Sequence, residues 1–220
     1  MRDLFKAVLK IALLLLFLGI SNVKAQVFGI KGGAVFGSIH TKEMDVKSPM
    51  INYYYELYYN QRLIKFRYAC VGLGYIGHGA TLSGIDEGAS ESYYEIKTRF
   101  NFVTMPIKFK YSFEHRKRPR PYGYVGVMPA VMFSEVRDYY IETVTDIYRQ
   151  MSTIYQWTPQ RFNIFGMFGG GCYYKHFTAD VTLNISALRA YKENEAPISF
   201  FSGAILTIGY QVSRATNKMW

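Results

Sequence analysis

From Phe177 to Ala187 the chain alternates without a fault. Phe177, Ala179, Val181, Leu183, Ile185 and Ala187 are apolar, and Thr178, Asp180, Thr182, Asn184 and Ser186 between them are polar. Successive side chains of an extended strand point to opposite faces, so this segment has one apolar and one polar face. Its eleven residues exceed what an ordinary globular strand needs. They match what a tilted strand needs to cross a bilayer.

Seven further segments carry a similar pattern, which predicts eight strands. The others are Val27–Phe36, Ile51–Tyr59, Leu63–Ile76, Tyr93–Phe113, Tyr122–Phe133, Phe162–Tyr174 and Ile198–Val212. Tyr53, Tyr55, Leu57 and Tyr59 oppose Glu56 and Tyr58, and Val103, Met105, Ile107, Phe109 and Tyr111 oppose Thr104, Lys108 and Lys110. In the third segment Lys65 and Arg67 share a face. The phase slips between Phe100 and Val103, which reads as a bulge. A bulge is also expected at Pro106, because proline cannot donate to a ladder and a closed sheet has no edge to hide it. The connections alternate in length: Ser38–Pro49, Gly79–Ser92, Ser134–Gln160 and Leu188–Ala196 are long, while Asn60–Arg62, Glu114–Pro121 and Lys175-His176 are short. Short turns at one end and long loops at the other are the asymmetry of an up-and-down transmembrane barrel.

Alternation alone does not say which face is outside. A secreted lipocalin-like barrel would turn the apolar face inward around a ligand. Two features favour outward. The polar face mixes both signs of charge in Lys31, Glu56, Lys65, Arg67, Lys108, Lys110 and Asp180, which can pair in a polar lumen. Aromatic residues cluster near strand ends, among them Phe28, Phe36, Tyr59, Tyr111, Phe113, Tyr122, Phe133, Phe162, Tyr174, Phe177 and Tyr210, as interfacial girdles do. Asp180 is expected to meet Lys31, Lys108 or Lys110.

The N-terminus adds a destination. Arg2, Lys6 and Lys10 precede an apolar run, Ile11–Ile20, and then Val23 and Ala25 stand before Gln26. That order predicts a signal peptide over residues 1–25, a barrel over 26–212 and a tail over 213–220. The net charge of +10, about +7 after cleavage, is spread over strands and turns. It suits anionic headgroups rather than nucleic acid. The two cysteines, Cys70 and Cys172, fall in the third and sixth strands, which are not neighbours, so free thiols are expected. No CxxC or HExxH spacing occurs, and neither metal nor cofactor is expected.

The segments FVTMPIKFKYSF and PYGYVGVMPAVMF, followed by FNIFGMFGGGCYYKHFTADVTLNISAL and FFSGAILTIGYQV, resemble the PorT-type outer-membrane β-barrel family. The resemblance spans the mature chain. It implies an eight-stranded barrel in a bacterial outer membrane. Some members are linked to protein secretion, but no residue here transfers that role.

Eight strands leave an interior just wide enough for side chains to fill. The expected function is therefore a non-enzymatic barrel acting through outer loops or periplasmic turns, as a binding, assembly or secretion-associated component. Its expected partners are lipid, lipopolysaccharide and a protein held by the loops, with Tyr139, Tyr140, Tyr148, Tyr155 and Trp157 as outer contacts. The basic turn Arg116–Arg120 faces the other end. A narrow ion path and an outer-membrane enzyme acting on lipid or peptide are the competing readings. For the enzyme, His40 and His78, with Asp45 and Asp86, fall near one rim, whereas His115 and His176 fall at the other.

Overall fold

The computed structural model describes residues 26–41, 45–64, 66–86, 92–113, 119–141, 159–190 and 199–213. The predicted signal peptide lies outside them, as does the tail beyond Ser213. Nine strand segments follow in chain order: β1 (Gln26–Thr41), β2 (Asp45–Ile64), β3 (Arg67–Asp86), β4 (Ser92–Thr104), β5 (Ile107–Ser112), β6 (Arg120–Ile141), β7 (Phe162–Tyr174), β8 (Phe177–Ser186) and β9 (Ser199–Ser213). Each pairs antiparallel with its neighbours, and β1 pairs with β9 to close the sheet. The closed sheet has eight strands, because β4 and β5 are one strand interrupted at Met105-Pro106.

That interruption contains no bulge. Thr104 faces Ala130 and Ile107 faces Val127. On the other side, Thr104 faces Gly74 and Ile107 faces Val71. The register is therefore the same before and after the proline on both flanks. Met105 N–H donates to the Pro129 carbonyl at 2.9 Å, and Gly72 N–H donates to the Pro106 carbonyl at 2.9 Å. Of the two bonds such a pair exchanges, only the one proline cannot donate is missing. The phase slip expected near Phe100 is absent too. Thr98, Phe100, Phe102, Thr104, Lys108, Lys110 and Ser112 all point inward in one unbroken period. The bulge sits instead on the partner: Asn101 faces Ser134 and Phe102 faces Met132, which leaves Phe133 as the extra residue of β6.

The strands run further at the long-connection end than the alternation indicates. β2 and β3 each have 20 residues and β6 has 22, about twice a membrane crossing. β7 meets β6 at Val131 opposite Phe162, yet β6 continues to Ile141 against β4. One side of the barrel thus rises as a wall about 30 Å further along the strand than the other. At the opposite end the turns are tight. Lys175-His176 joins β7 to β8, and Phe66 turns the chain from β2 into β3, with Lys175 and Phe66 in the left-handed region at φ 55° and 68°.

The exterior is apolar. Leu57, Leu73, Phe109, Phe168, Val181, Leu183 and Ile208 are 47–71% exposed, in a continuous band far larger than a soluble monomer tolerates. Aromatic pairs mark its borders: Phe28 on Tyr59, Phe177 on Tyr210 and Tyr111 on Phe113 at the short-turn end, and Tyr75 with Phe133 at the other. Tyr122 is a correction to the expected girdle, since it points inward and is 2% exposed. Cys70 is buried inside, Cys172 is half-buried, and both are free thiols. A barrel with its greasy side outward belongs in lipid.

Candidate functional site

The interior has two layers. The layer nearer the short turns is ionic. Lys31 on β1 and Asp180 on β8 form an ion pair, and Asp180 also accepts from Tyr122 and, at 3.3 Å, from Thr207. Lys108 on β5 donates to both oxygens of Glu56 on β2, at 2.8 and 2.6 Å, and Tyr54 donates to the same carboxylate at 2.8 Å. Lys110 makes neither of these ion pairs. It donates to Tyr173 at 2.8 Å and lies 4.4 Å above the Tyr122 ring and 5.2 Å from that of Tyr173. Tyrosine faces thus accommodate the third ammonium. A further hydroxyl pair, Tyr124 with Thr182, lies beside the web. Buried charges persist only when they are compensated: Lys31, Asp180, Lys108 and Glu56 are ion-paired, and Lys110 is held by a hydrogen bond and tyrosine rings.

Local sequence makes room for this web. The inward glycines of the Gly169-Gly170-Gly171 run lie under the tyrosines. A Cβ on Gly171 would stand 2.8 Å from Asp180 and 2.9 Å from the Tyr122 oxygen, and one on Gly169 would stand 2.8 Å from the Tyr124 ring. Flat backbone on β7 is what lets β6 lean its two tyrosines across the lumen.

The layer nearer the long connections is aromatic. Phe100, Phe102, Phe165 and Phe201 meet edge to face, with centroids 5.1–5.8 Å apart for the pairs Phe100–Phe201, Phe102–Phe165 and Phe102–Phe201. Val35, Ile39, Ile76, Met128 and Ile205 fill in around them. His78 stacks flat on Phe165 at 5.0 Å. Ala190, from the segment after β8, is buried in the same cluster, and that segment is tied down by the bond from Gln160 N–H to the Ala190 carbonyl. These residues plug the lumen.

Of the lumen residues expected from sequence, Lys31, Glu56, Lys108, Lys110 and Asp180 are brought together. Arg67 is not. The chain reverses at Phe66, so Arg67 begins a new strand, exposed and opposite Tyr111 on the outer side. Lys65 lies outside the described residues. Tyr54, Tyr122, Tyr124 and Tyr173 belong to the web and were not expected in it; the shared period of Tyr54 with Glu56 and Tyr58 is the signal that places the first of them. Tyr139 and Tyr140 fall on the β6 backbone opposite Ile96 and Glu95, on the raised wall rather than in a loop. Tyr148, Tyr155 and Trp157 lie outside the described residues, as does His115. His40 and His78 do not share a site. His78 is in the plug, whereas His40 is on the outer rim, 2.5 Å from the Ser202 hydroxyl.

The sequence profile of the outer membrane protein beta-barrel domain matches residues 22–189. Solved structures of similar fold include Ail, the attachment invasion locus protein of Yersinia pestis, in complex with the heparin analogue sucrose octasulfate (12% identity, TM-score 0.40, 86% of this chain and 100% of that one). OprG from Pseudomonas aeruginosa (11%, TM-score 0.44, 87% and 98%) and Neisserial surface protein A (8%, TM-score 0.43, 84% and 97%) are others. No match was found among curated proteins. With its matched domain, closed eight-stranded sheet and apolar exterior, the chain belongs to the outer membrane protein beta-barrel domain family and is a protein of the bacterial outer membrane.

Proposed function

We propose that this protein is a non-conducting, non-enzymatic barrel of the PorT type that works through its two ends, as a binding, assembly or secretion-associated component. The filled lumen carries the reading. Three lysines, two carboxylates and their tyrosines occupy one half, and a phenylalanine plug occupies the other. Eight strands leave little space beyond that, so solute has no path. The barrel then serves as a rigid anchor. The raised β2–β3–β4–β6 wall presents an outer surface for a protein or lipopolysaccharide, and the tight turns present a periplasmic one. The PorT-type reading rests on the segments from FVTMPIKFKYSF to FFSGAILTIGYQV.

Purified protein reconstituted in planar bilayers at neutral pH tests this. The expected record is flat, at the level of bare lipid. Discrete, ohmic steps at neutral pH would show an open path and contradict the reading.

A further inference from the structure

Among the described residues His78 is the one imidazole in the aromatic plug. It is fully buried, stacked on Phe165 and in contact with Phe102 and Phe201 at centroid distances of 6.4 and 5.8 Å. Its Nε2 lies 3.0 Å from the amide nitrogen of Asn184. That nitrogen donates, so Nε2 accepts, and the single proton of the neutral ring sits on Nδ1. Nδ1 and the Asn184 Oδ1 are both buried without a partner among the described residues. Next to them the wall is bare. Gly37 and Gly203 stand opposite each other, and a Cβ on Gly37 would be 3.0 Å from Nδ1, one on Gly203 3.1 Å from Asn184 Oδ1. The ring therefore has a single hydrogen bond, and it is of a kind that only the neutral form can make.

We propose that His78 is a proton-operated latch on the plug. A proton from the outer medium can add only at Nε2. The imidazole then becomes an imidazolium, the Asn184 amide hydrogen faces another N–H, and that bond is lost. Among the described residues no counter-charge waits nearby. β1 brings Gly37, β2 Asn52 and Tyr54, β4 Phe100 and Phe102, β7 Phe165, β8 Asn184, and β9 Phe201 and Gly203. The Tyr54 phenol is engaged with Glu56, itself held by Lys108. Glu135 on β6, on the side of Phe100, is held by Arg137 at 2.5 Å. Phenyl faces attract a cation only weakly, by less than the cost of burying an unpaired charge. The charged ring leaves its seat between Phe165 and Asn184, and the outer layer of the lumen loosens.

This rests on the closed-lumen reading, and the test separates the two. Bilayer recordings are made at about pH 7.5 and about pH 2.5, the lower value well below the ordinary imidazole range because an unpaired charge in the dry plug forms only in strong acid. The wild type is expected to be silent at the higher pH and to show at least about tenfold more open time at the lower. His78→Gln and His78→Phe are expected to stay silent at both, with heat-modifiable migration confirming that they are folded. Conductance at the higher pH overturns the closed lumen. Silence of the wild type in acid, or acid openings in His78→Gln equal to wild type, overturns the latch. Should the variants not fold, NMR of the wild type decides: protonation of His78 must move the Asn184 amide and Phe165 ring signals with it, and protonation that leaves them unchanged overturns the proposal.

Discussion

The three lumen lysines differ in what their loss leaves behind. Lys108 neutralises a carboxylate that is otherwise sealed from water, whereas Lys110 rests on tyrosines. Removing one member of a buried pair strands the other charge, which costs about 3–5 kcal/mol. Lys108→Met is therefore expected to destabilise the barrel by that amount in urea titrations in lipid. Lys108→Met with Glu56→Leu is expected to recover most of it. Lys110→Met forfeits one hydrogen bond and its ring contacts, about 1–2 kcal/mol. Equal losses at the two lysines would contradict this account of the web. The charged members of the web are legible in the sequence because a charge on the polar phase of a lipid-crossing strand must point into the lumen and find a partner there. Apart from Tyr54, which shares the period of Glu56, its tyrosines are not, since a tyrosine near a strand end serves equally well in a lipid-facing girdle. Tyr122 shows the difference: only the glycine at position 171 across from it admits the inward rotamer.

Strand existence follows from period two, and all eight expected strands form. Their ends and one phase do not follow, for two physical reasons. Beyond Val131 opposite Phe162 β6 runs on without β7, so the upper wall no longer borders a closed barrel and its residues no longer need to alternate. Inside, the plug puts Phe100 and Phe102 where a lumen position ordinarily carries polar groups, and inward phenylalanines mimic a slip in phase. The backbone is more demanding than the side chains at β7. A Cβ on Gly171 would stand 2.2 Å from the Ala179 carbonyl oxygen, whereas one on Gly166 meets nothing closer than 3.9 Å. Gly171→Ala is expected to cost about 1–3 kcal/mol, as overpacking does, and to lower the fraction showing heat-modifiable migration. Gly166→Ala is expected to leave that fraction unchanged. The reverse order would mean that the β7–β8 register is wrong.

The molecule as a whole is an inside-out solid: apolar surface toward lipid, an ionic layer and an aromatic layer within, and a wall rising at one end. Its destination in the outer membrane is legible from the alternation and from the short and long connections. Its partner is not, because recognition belongs to the rim and the wall, where no period constrains the residues. The β8 strand, where the alternation is cleanest, also decides the architecture. The wild-type protein, methyl-labelled in lipid nanodiscs, is to be measured for nuclear Overhauser contacts to lipid chains and to water. Ala179, Val181, Leu183 and Ile185 are expected to contact acyl protons, and Thr178 and Thr182 to contact neither lipid nor water, as their exposures of 2% and 4% require. Water contacts at Thr182 would reveal an open lumen, and absent lipid contacts at Leu183 would reveal that the apolar face is not outside.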